Sequence, residues 1–219
     1  MTLAPSSQKW AVILIAALAS LIAYAQAKLP ADLDAQSRAR LPYLKSSEVD
    51  AKGKRVVDVF GKGGTVSGPL AFATYNPAVG QALLDLHDAA VTGGTLDAHA
   101  RELAILVACR ATNYNLEWNG HEASGVRAGI DAKVIDVVRN NSPLTGLNEK
   151  DAAVIRFGRQ LFNDKKVDSA TFAKVVELWG KRGAMDMVAV MNTYAVSGFF
   201  AIAVDEHPAE GKAALPAVK

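Results

Sequence analysis

The stretch RELAILVACRATNYNLEWNGHEASGVRAGID, residues 101–131, decides the fold class of this chain. It begins with an apolar run in which Leu103 and Leu106 follow at helical spacing. The letters TNYN then interrupt this pattern, because these residues favour turns and caps over helix interiors. The helical pattern resumes over residues 116–128 and stops at Gly129, a plausible C-terminal cap. We therefore predict two helices joined by a tight turn.

The same reasoning extends helices in both directions, while residues 61–69 are interpreted as a loop and no convincing strand is found. Asn76, Asp97, Asp131, Asn148 and Asp168 are the predicted N-caps. The other predicted helices cover residues 47–60, 76–91, 131–138, 148–161, 168–179 and 184–204. The chain is therefore predicted to be all-α, a single domain of about seven or eight helices.

The first 27 residues have the build of a secretory signal peptide. Lys9 is their only charge, an apolar run follows it, and small residues end the segment at Ala25-Gln26-Ala27. The run is shorter than the roughly 20 residues that cross a bilayer. We predict cleavage after Ala27, with Ala25 as the second choice and an uncleaved anchor as the alternative. The mature domain is then 28–219, and the protein is exported to the periplasm or secreted.

Composition excludes several classes of protein. The 219 residues are 50% hydrophobic and 21% charged, with a formal net charge of +2, as in an ordinary globular protein rather than a disordered or fibrous one. A charge so close to zero argues against nucleic acid as the main partner.

The apolar stretch 184–204 contains Asp186 and Asn192, which favour a core or subunit-interface helix over a membrane span.

The chain has one cysteine, Cys109, so it cannot form a disulfide within itself. The surrounding LAILVACRAT is apolar at helical spacing. We interpret Cys109 as a buried, inert thiol, since free cysteine is among the most buried residue types. An intermolecular partner is the alternative.

The polar residues with chemical potential lie within the quoted stretch. Glu117 and His121 are four residues apart, so on a helix their side chains can meet, and a carboxylate raises the pKa of a neighbouring histidine. Glu102 lies upstream in an apolar run. Two carboxylates and a histidine converging on one pocket would make a proton-transfer site. A solvated surface pair is the alternative, and one histidine with two carboxylates is a sparse set for a metal; His87, His99 and His207 are interpreted as structural or solvated.

Residues 101–131 resemble the core signature of the carboxymuconolactone decarboxylase family, which has the alkylhydroperoxidase D-like fold. The resemblance extends to residues 67–90 before the signature and to residues 146–204 after it. Where the alkylhydroperoxidase branch carries a C-x-x-C pair, this chain has Tyr114-Asn115-Leu116-Glu117. The resemblance therefore implies a branch without the redox dithiol.

What the resemblance implies is a lyase or isomerase without cofactor that acts on a small carboxylated lactone or unsaturated acid. The predicted signal peptide is a departure from the family, whose aromatic-degradation decarboxylase resembles a cytoplasmic enzyme. His121 would donate or shuttle the proton, and Glu117 would orient the imidazole and keep it charged. Glu102 would be a second acid or base, or would fix a neighbouring arginine against the substrate carboxylate. Arg101 is a candidate for binding the substrate carboxylate. Trp118 would be a pocket wall or interface residue, with plain core as an equal alternative.

Two alternatives from other classes stay open. One is a peroxidase or peroxiredoxin-like activity of the same superfamily. The other is a non-catalytic oligomeric protein that binds a small molecule and keeps the pocket without the chemistry. The resemblance also implies a homo-oligomer, with apolar helices such as 184–204 buried between subunits.

Overall fold

The structure, a computed structural model, describes residues 30–217, and the chain divides into two compact units, Met1–Leu33 and Asp34–Lys219. In the first unit the described residues form a turn, in which the Leu33 amide donates to the Pro30 carbonyl at 3.2 Å. The predicted signal peptide, residues 1–27, lies outside the described residues.

Helices make up most of the second unit, which confirms the all-α prediction. Short 3₁₀ turns precede the first and second helices, and single π turns follow the second and sixth. The seven α-helices among the described residues are α1 Lys54–Phe60, α2 Pro77–His87, α3 Ala98–Ala111, α4 Asn115–Arg127, α5 Ala132–Arg139, α6 Glu149–Arg159 and α7 Ser169–Ala203.

The interpretation of residues 61–69 wholly as a loop was wrong. Strand β1, Gly61–Lys62, pairs antiparallel with β2, Thr65–Val66, in a small hairpin. Between the strands Gly63 and Gly64 have φ of +62° and +84°. Positive φ at both central residues is what a tight two-residue hairpin turn requires, and glycine adopts it without steric cost. The hairpin is too short to show the alternation by which strands are recognised.

Helix α3 is the centre of the fold and packs against α7, α6 and α4. Leu103, Ile105 and Leu106 on successive faces are all fully buried. A helix that is apolar all round must lie inside the protein, because water would meet an apolar face wherever it was exposed. The helix begins at the predicted cap Asp97, whose carboxylate accepts a hydrogen bond from the Ala100 amide at 2.8 Å.

The ends of α4 fix where its polar residues lie. Asn113, with φ of 51°, turns the chain between α3 and α4, and Tyr114 is the N-cap residue. At the other end Gly129 has φ of +82°, and the Ile130 amide donates to the Gly125 carbonyl at 2.9 Å. Glycine is the residue that best tolerates this left-handed conformation, so the predicted C-terminal cap is confirmed.

Helix α7 joins the two predicted helices 168–179 and 184–204. Only Gly180, with φ of 71° and ψ of 172°, leaves the helical region, at the predicted break. Among the described residues α7 alone is long and apolar enough to cross a membrane. Half of its most apolar 18-residue stretch is buried inside the protein. Met187 and Met191 are fully buried in the main core.

Candidate active site

Packing of α3 against α4 brings the three predicted proton-transfer residues together. Nδ1 of His121 lies 2.7 Å from Oε2 of Glu102, and Nε2 lies 3.2 Å from Oε2 of Glu117. The imidazole is 20% exposed, and the side chains of Glu102 and Glu117 are 13% and 12% exposed. Each ring nitrogen therefore faces one carboxylate in a largely dry environment.

This geometry sets the charge of the histidine. Burial lowers the pKa of His121, but the hydrogen bonds to Glu102 and Glu117 outweigh it and raise the pKa to about 9. Only the doubly protonated ring can donate to both carboxylates at once. At neutral pH His121 is thus an imidazolium between two acceptors, and a proton that it releases can be replaced through either carboxylate.

Tyr194 and His87 extend this cluster, and neither was singled out from the sequence as a site residue. The Tyr194 ring meets the His121 ring edge-on, with centroids 4.9 Å apart and planes at 85°. Its hydroxyl lies 3.4 Å from Nε2 of His87, and burial raises the pKa of the phenol. The sequence pointed to Tyr194 only through the polar residues that lie near it in the apolar stretch of α7.

Arg101 lies on α3 next to Glu102 and is partly buried. Its Nε atom is buried and has no hydrogen-bond partner. The charge of Arg101 also acts on the Tyr194 phenol, where it favours the ionised form. A cationic donor is therefore available close to the residues that surround His121.

Trp118 lies in the hydrophobic core and is 3% exposed. Its Nε1 donates to Oε2 of Glu122 at 3.0 Å, and the Arg139 guanidinium lies 5.5 Å from the ring centroid. Arg139 also pairs with Glu122. These contacts agree with the alternative interpretation of Trp118 as a core residue. They also hold α4 against α5.

Cys109 is free, fully buried and part of the main core. Burial, with a contribution from the negative charges of Glu117 and Glu102, raises the pKa of the thiol well above its usual range. A thiol in this environment stays protonated, and the thiolate is the nucleophilic form.

A second histidine–carboxylate pair provides a comparison. Nε2 of His99 lies 2.7 Å from Oδ1 of Asp151, whose other oxygen accepts from the Asn148 side chain at 2.7 Å. This pair joins α3 to the start of α6 and involves one ring nitrogen only. Within residues 30–217 no group of three or more His, Cys, Asp and Glu side chains is arranged to hold a metal ion.

Comparisons with known proteins agree with this architecture. The sequence profile of the carboxymuconolactone decarboxylase family matches residues 77–157, which include α3 and α4. A solved structure described as an alkylhydroperoxidase AhpD core, an uncharacterized peroxidase-related protein from Ralstonia eutropha, has a TM-score of 0.61 and 22% identity. That alignment covers 78% of this chain and 93% of the other. No curated protein sequence matches the chain.

At that identity the structural likeness shows the fold alone, and the family profile matches the region of the chain that contains the site. Glu102, Glu117 and His121 all lie inside the matched region, and the only cysteine of the chain is Cys109. Residues 77–157 thus match the carboxymuconolactone decarboxylase family, the fold is alkylhydroperoxidase D-like, and the matched residues lack a C-x-x-C pair.

Proposed function

We propose that this protein is a lyase or isomerase that needs no cofactor and acts on a small carboxylated lactone or unsaturated acid. The observation that carries the proposal is His121, held as an imidazolium between Glu102 and Glu117. A buried proton donor with two proton acceptors at hydrogen-bond distance is suited to proton transfer at carbon.

In a decarboxylation, the bond between the carboxylate carbon and the ring carbon breaks and carbon dioxide leaves. The bonding electrons move into the conjugated lactone carbonyl and form a dienolate. His121 then donates its Nε2 or Nδ1 proton to the dienolate carbon, and solvent returns a proton to the imidazole. The same donor would serve an isomerisation, in which a proton leaves one carbon and is delivered to another.

The neighbouring residues supply position and charge. Glu117, at Nε2, orients the imidazole and keeps it protonated. Glu102, which contacts the other ring nitrogen, Nδ1, acts as a second acid or base. The unpartnered Nε of Arg101 supports a role in binding the substrate carboxylate, because a guanidinium can hold a carboxylate with two hydrogen bonds. Turnover of unsaturated lactones and small carboxylic acids by wild type and by His121 variants tests these roles.

A thiol peroxidase is the second candidate, since the similar solved structure is described as peroxidase-related. Its chemistry requires a thiolate, and Cys109 is fully buried. We expect Cys109→Ala and Cys109→Ser to leave lactone-acid turnover within about twofold of wild type, because the thiol makes no contact that the lyase needs. Steady-state assays with lactone acids and with hydrogen peroxide measure both activities.

The alanine variant controls for the cost of placing a serine hydroxyl in the core. Loss of hydrogen peroxide reduction in both folded variants would assign that reaction to the Cys109 thiol and favour the peroxidase. A non-catalytic binding protein is the third candidate. The distances among Glu102, Glu117 and His121 argue against it, because a binding role does not require a histidine with both nitrogens engaged.

We also propose that the protein is exported and that the signal peptide is removed after Ala27. The charge at Lys9 followed by an apolar run and small residues supports this proposal. Intact-mass spectrometry of the protein recovered from the periplasm or medium is expected to give a chain that begins at Lys28. A mass that still includes residues 1–27 would contradict cleavage.

A further inference from the structure

Tyr194 connects His121 to a second histidine. Its side chain is 4% exposed, and its ring meets the His121 ring with centroids 4.9 Å apart. The hydroxyl of the same residue lies 3.4 Å from Nε2 of His87. This buried hydroxyl has no role in the proton transfers assigned to His121.

The packing of two helices explains why these side chains meet. On α2, His87 follows the buried residues Gly80 and Leu84 at helical spacing, so it lies on the face of the helix that packs inside the protein. On α7, Tyr194 continues the buried face that includes Met187 and Met191. Because α2 and α7 pack against each other, the contact belongs to the helical framework rather than to a loop.

Asp88 decides which nitrogen of His87 carries the hydrogen. Oδ1 of Asp88 lies 3.2 Å from Nδ1 of His87, and Oδ2 pairs with the Arg55 guanidinium. The hydrogen bond from Arg55, and then that from His87, holds the pKa of Asp88 below its usual range. Asp88 is therefore a carboxylate, which only accepts hydrogen bonds. In the neutral imidazole the hydrogen thus lies on Nδ1, and Nε2 accepts from the Tyr194 hydroxyl.

The Tyr194 hydroxyl is a neutral donor in a dry environment. Burial, together with the negative charges of Glu117 and Glu102, raises the pKa of the phenol, and the charge of Arg101 opposes this effect. At neutral pH the phenol therefore keeps its proton. Its distance of 3.4 Å to His87 is long for a hydrogen bond from a hydroxyl, so this weak bond is readily exchanged for a shorter one.

The proposed decarboxylation places negative charge on the lactone carbonyl oxygen, which receives the electron pair when carbon dioxide leaves. Glu102 and Glu117 repel this charge, and His121 delivers its proton to carbon. Enzymes stabilise a developing oxyanion with preorganised hydrogen-bond donors in water-excluded sites, and one such donor is worth about 10²- to 10³-fold in kcat. A neutral hydroxyl beside His121 meets this requirement.

We propose that Tyr194 is a further catalytic residue, whose hydroxyl donates a hydrogen bond to the lactone carbonyl oxygen as the dienolate forms. His87 and Asp88 are positioning residues that hold the hydroxyl in place in the free enzyme. As the bond to the leaving carboxylate breaks, its electron pair moves to the carbonyl oxygen. Tyr194 keeps its proton, and His121 then protonates the carbon. This role rests on the proposed lyase activity and adds the group that stabilises its intermediate.

Tyr194→Phe tests the hydroxyl, because phenylalanine keeps the ring against His121 and removes only the oxygen. For the carboxylated lactone that wild type turns over, we expect kcat to fall about 100-fold and KM to stay within about threefold, because the hydrogen bond forms as the charge develops. Tyr114→Phe is the matched control and should keep wild-type turnover. Tyr114 is 3% exposed, and its hydroxyl lies 3.5 Å from the Pro69 carbonyl oxygen.

Two variants of His87 test the positioning role. His87→Leu removes the acceptor of the Tyr194 hydroxyl and should lower kcat about fivefold with little change in KM, because the donor is then less well oriented. His87→Gln supplies an amide oxygen as the acceptor and should restore kcat to within about twofold of wild type. Near-ultraviolet circular dichroism checks the fold of each variant.

The outcomes separate this role from the proposed function. Full turnover by folded Tyr194→Phe, or an equal loss in Tyr114→Phe, would overturn the assignment of Tyr194 while wild-type turnover still supports the lyase. Equal losses in His87→Leu and His87→Gln would overturn the positioning role of His87. Absence of lactone-acid turnover in wild type would refute the proposed function, and the role of Tyr194 with it.

Discussion

Replacing His121 with alanine is expected to lower kcat for a carboxylated lactone by about 10³-fold, because a positioned general acid contributes about 10²- to 10⁴-fold. The wild-type substrate is found first, by screening unsaturated lactones and small carboxylic acids for a change in ultraviolet absorbance. The variant is then assayed on the same compound. KM should change little, since the proposed carboxylate ligand is Arg101 rather than His121.

Two further variants make this result specific. His99→Ala removes a histidine with an equally short carboxylate contact, 2.7 Å to Asp151, that has no role in the proposed reaction. This control variant should keep wild-type turnover. His121→Gln keeps hydrogen-bonding capacity between Glu102 and Glu117 and guards against misfolding of the alanine variant. Circular dichroism checks the fold of each. Full turnover in folded His121→Ala and His121→Gln would end the assignment of His121 as the proton donor.

The stability of the protein is expected to fall at alkaline pH as His121 loses its proton. The pKa of this residue is about 9 in the folded protein against 6.5 for a free histidine. A raised pKa contributes stability that is fully present below pH 6.5 and is lost as the pH rises through 9. At about 1.4 kcal/mol per pKa unit, the free energy of unfolding should decrease by about 3 kcal/mol across this range.

Urea unfolding at pH 6.5 and pH 9.5 measures this loss. The pH dependence of His121→Gln serves as the reference, because that variant keeps every other titrating group. For each protein the free energy of unfolding has a slope against pH, and the difference between the slopes of wild type and variant gives the contribution of His121. Equal slopes in wild type and variant would contradict the charged, doubly hydrogen-bonded imidazole.

Helix caps show how far local sequence carries the fold. Asp97, Asp131 and Asn148 were predicted as N-caps, and each accepts a hydrogen bond from a backbone amide of the helix it begins. Asp168 does the same for α7, whereas Asn76 occupies the N-cap position of α2 without a side-chain cap bond. Caps are predictable because donor and acceptor lie within a few residues of each other.

The site was accessible to sequence reasoning only in part. The contact between Glu117 and His121 follows from their spacing on one helix. The shorter contact, from His121 to Glu102, depends on how α3 packs against α4, and the sequence offered only the expectation that the two would converge. Tyr194 entered the cluster through α7, far along the chain.

The sequence by itself determined the all-α class, four of the helix N-caps, the glycine break in α7 and the family resemblance, because periodicity, capping and motifs are properties of neighbouring residues. It did not determine every helix limit, since the helix predicted over residues 47–60 is an α-helix only from Lys54 to Phe60. Only the tertiary structure decided that both nitrogens of His121 face carboxylates, that Trp118 lies in the core, and that Tyr194 contacts both His121 and His87. These arrangements join residues distant in sequence. Their distances are set by the burial of apolar helix faces against α3, which no local pattern encodes.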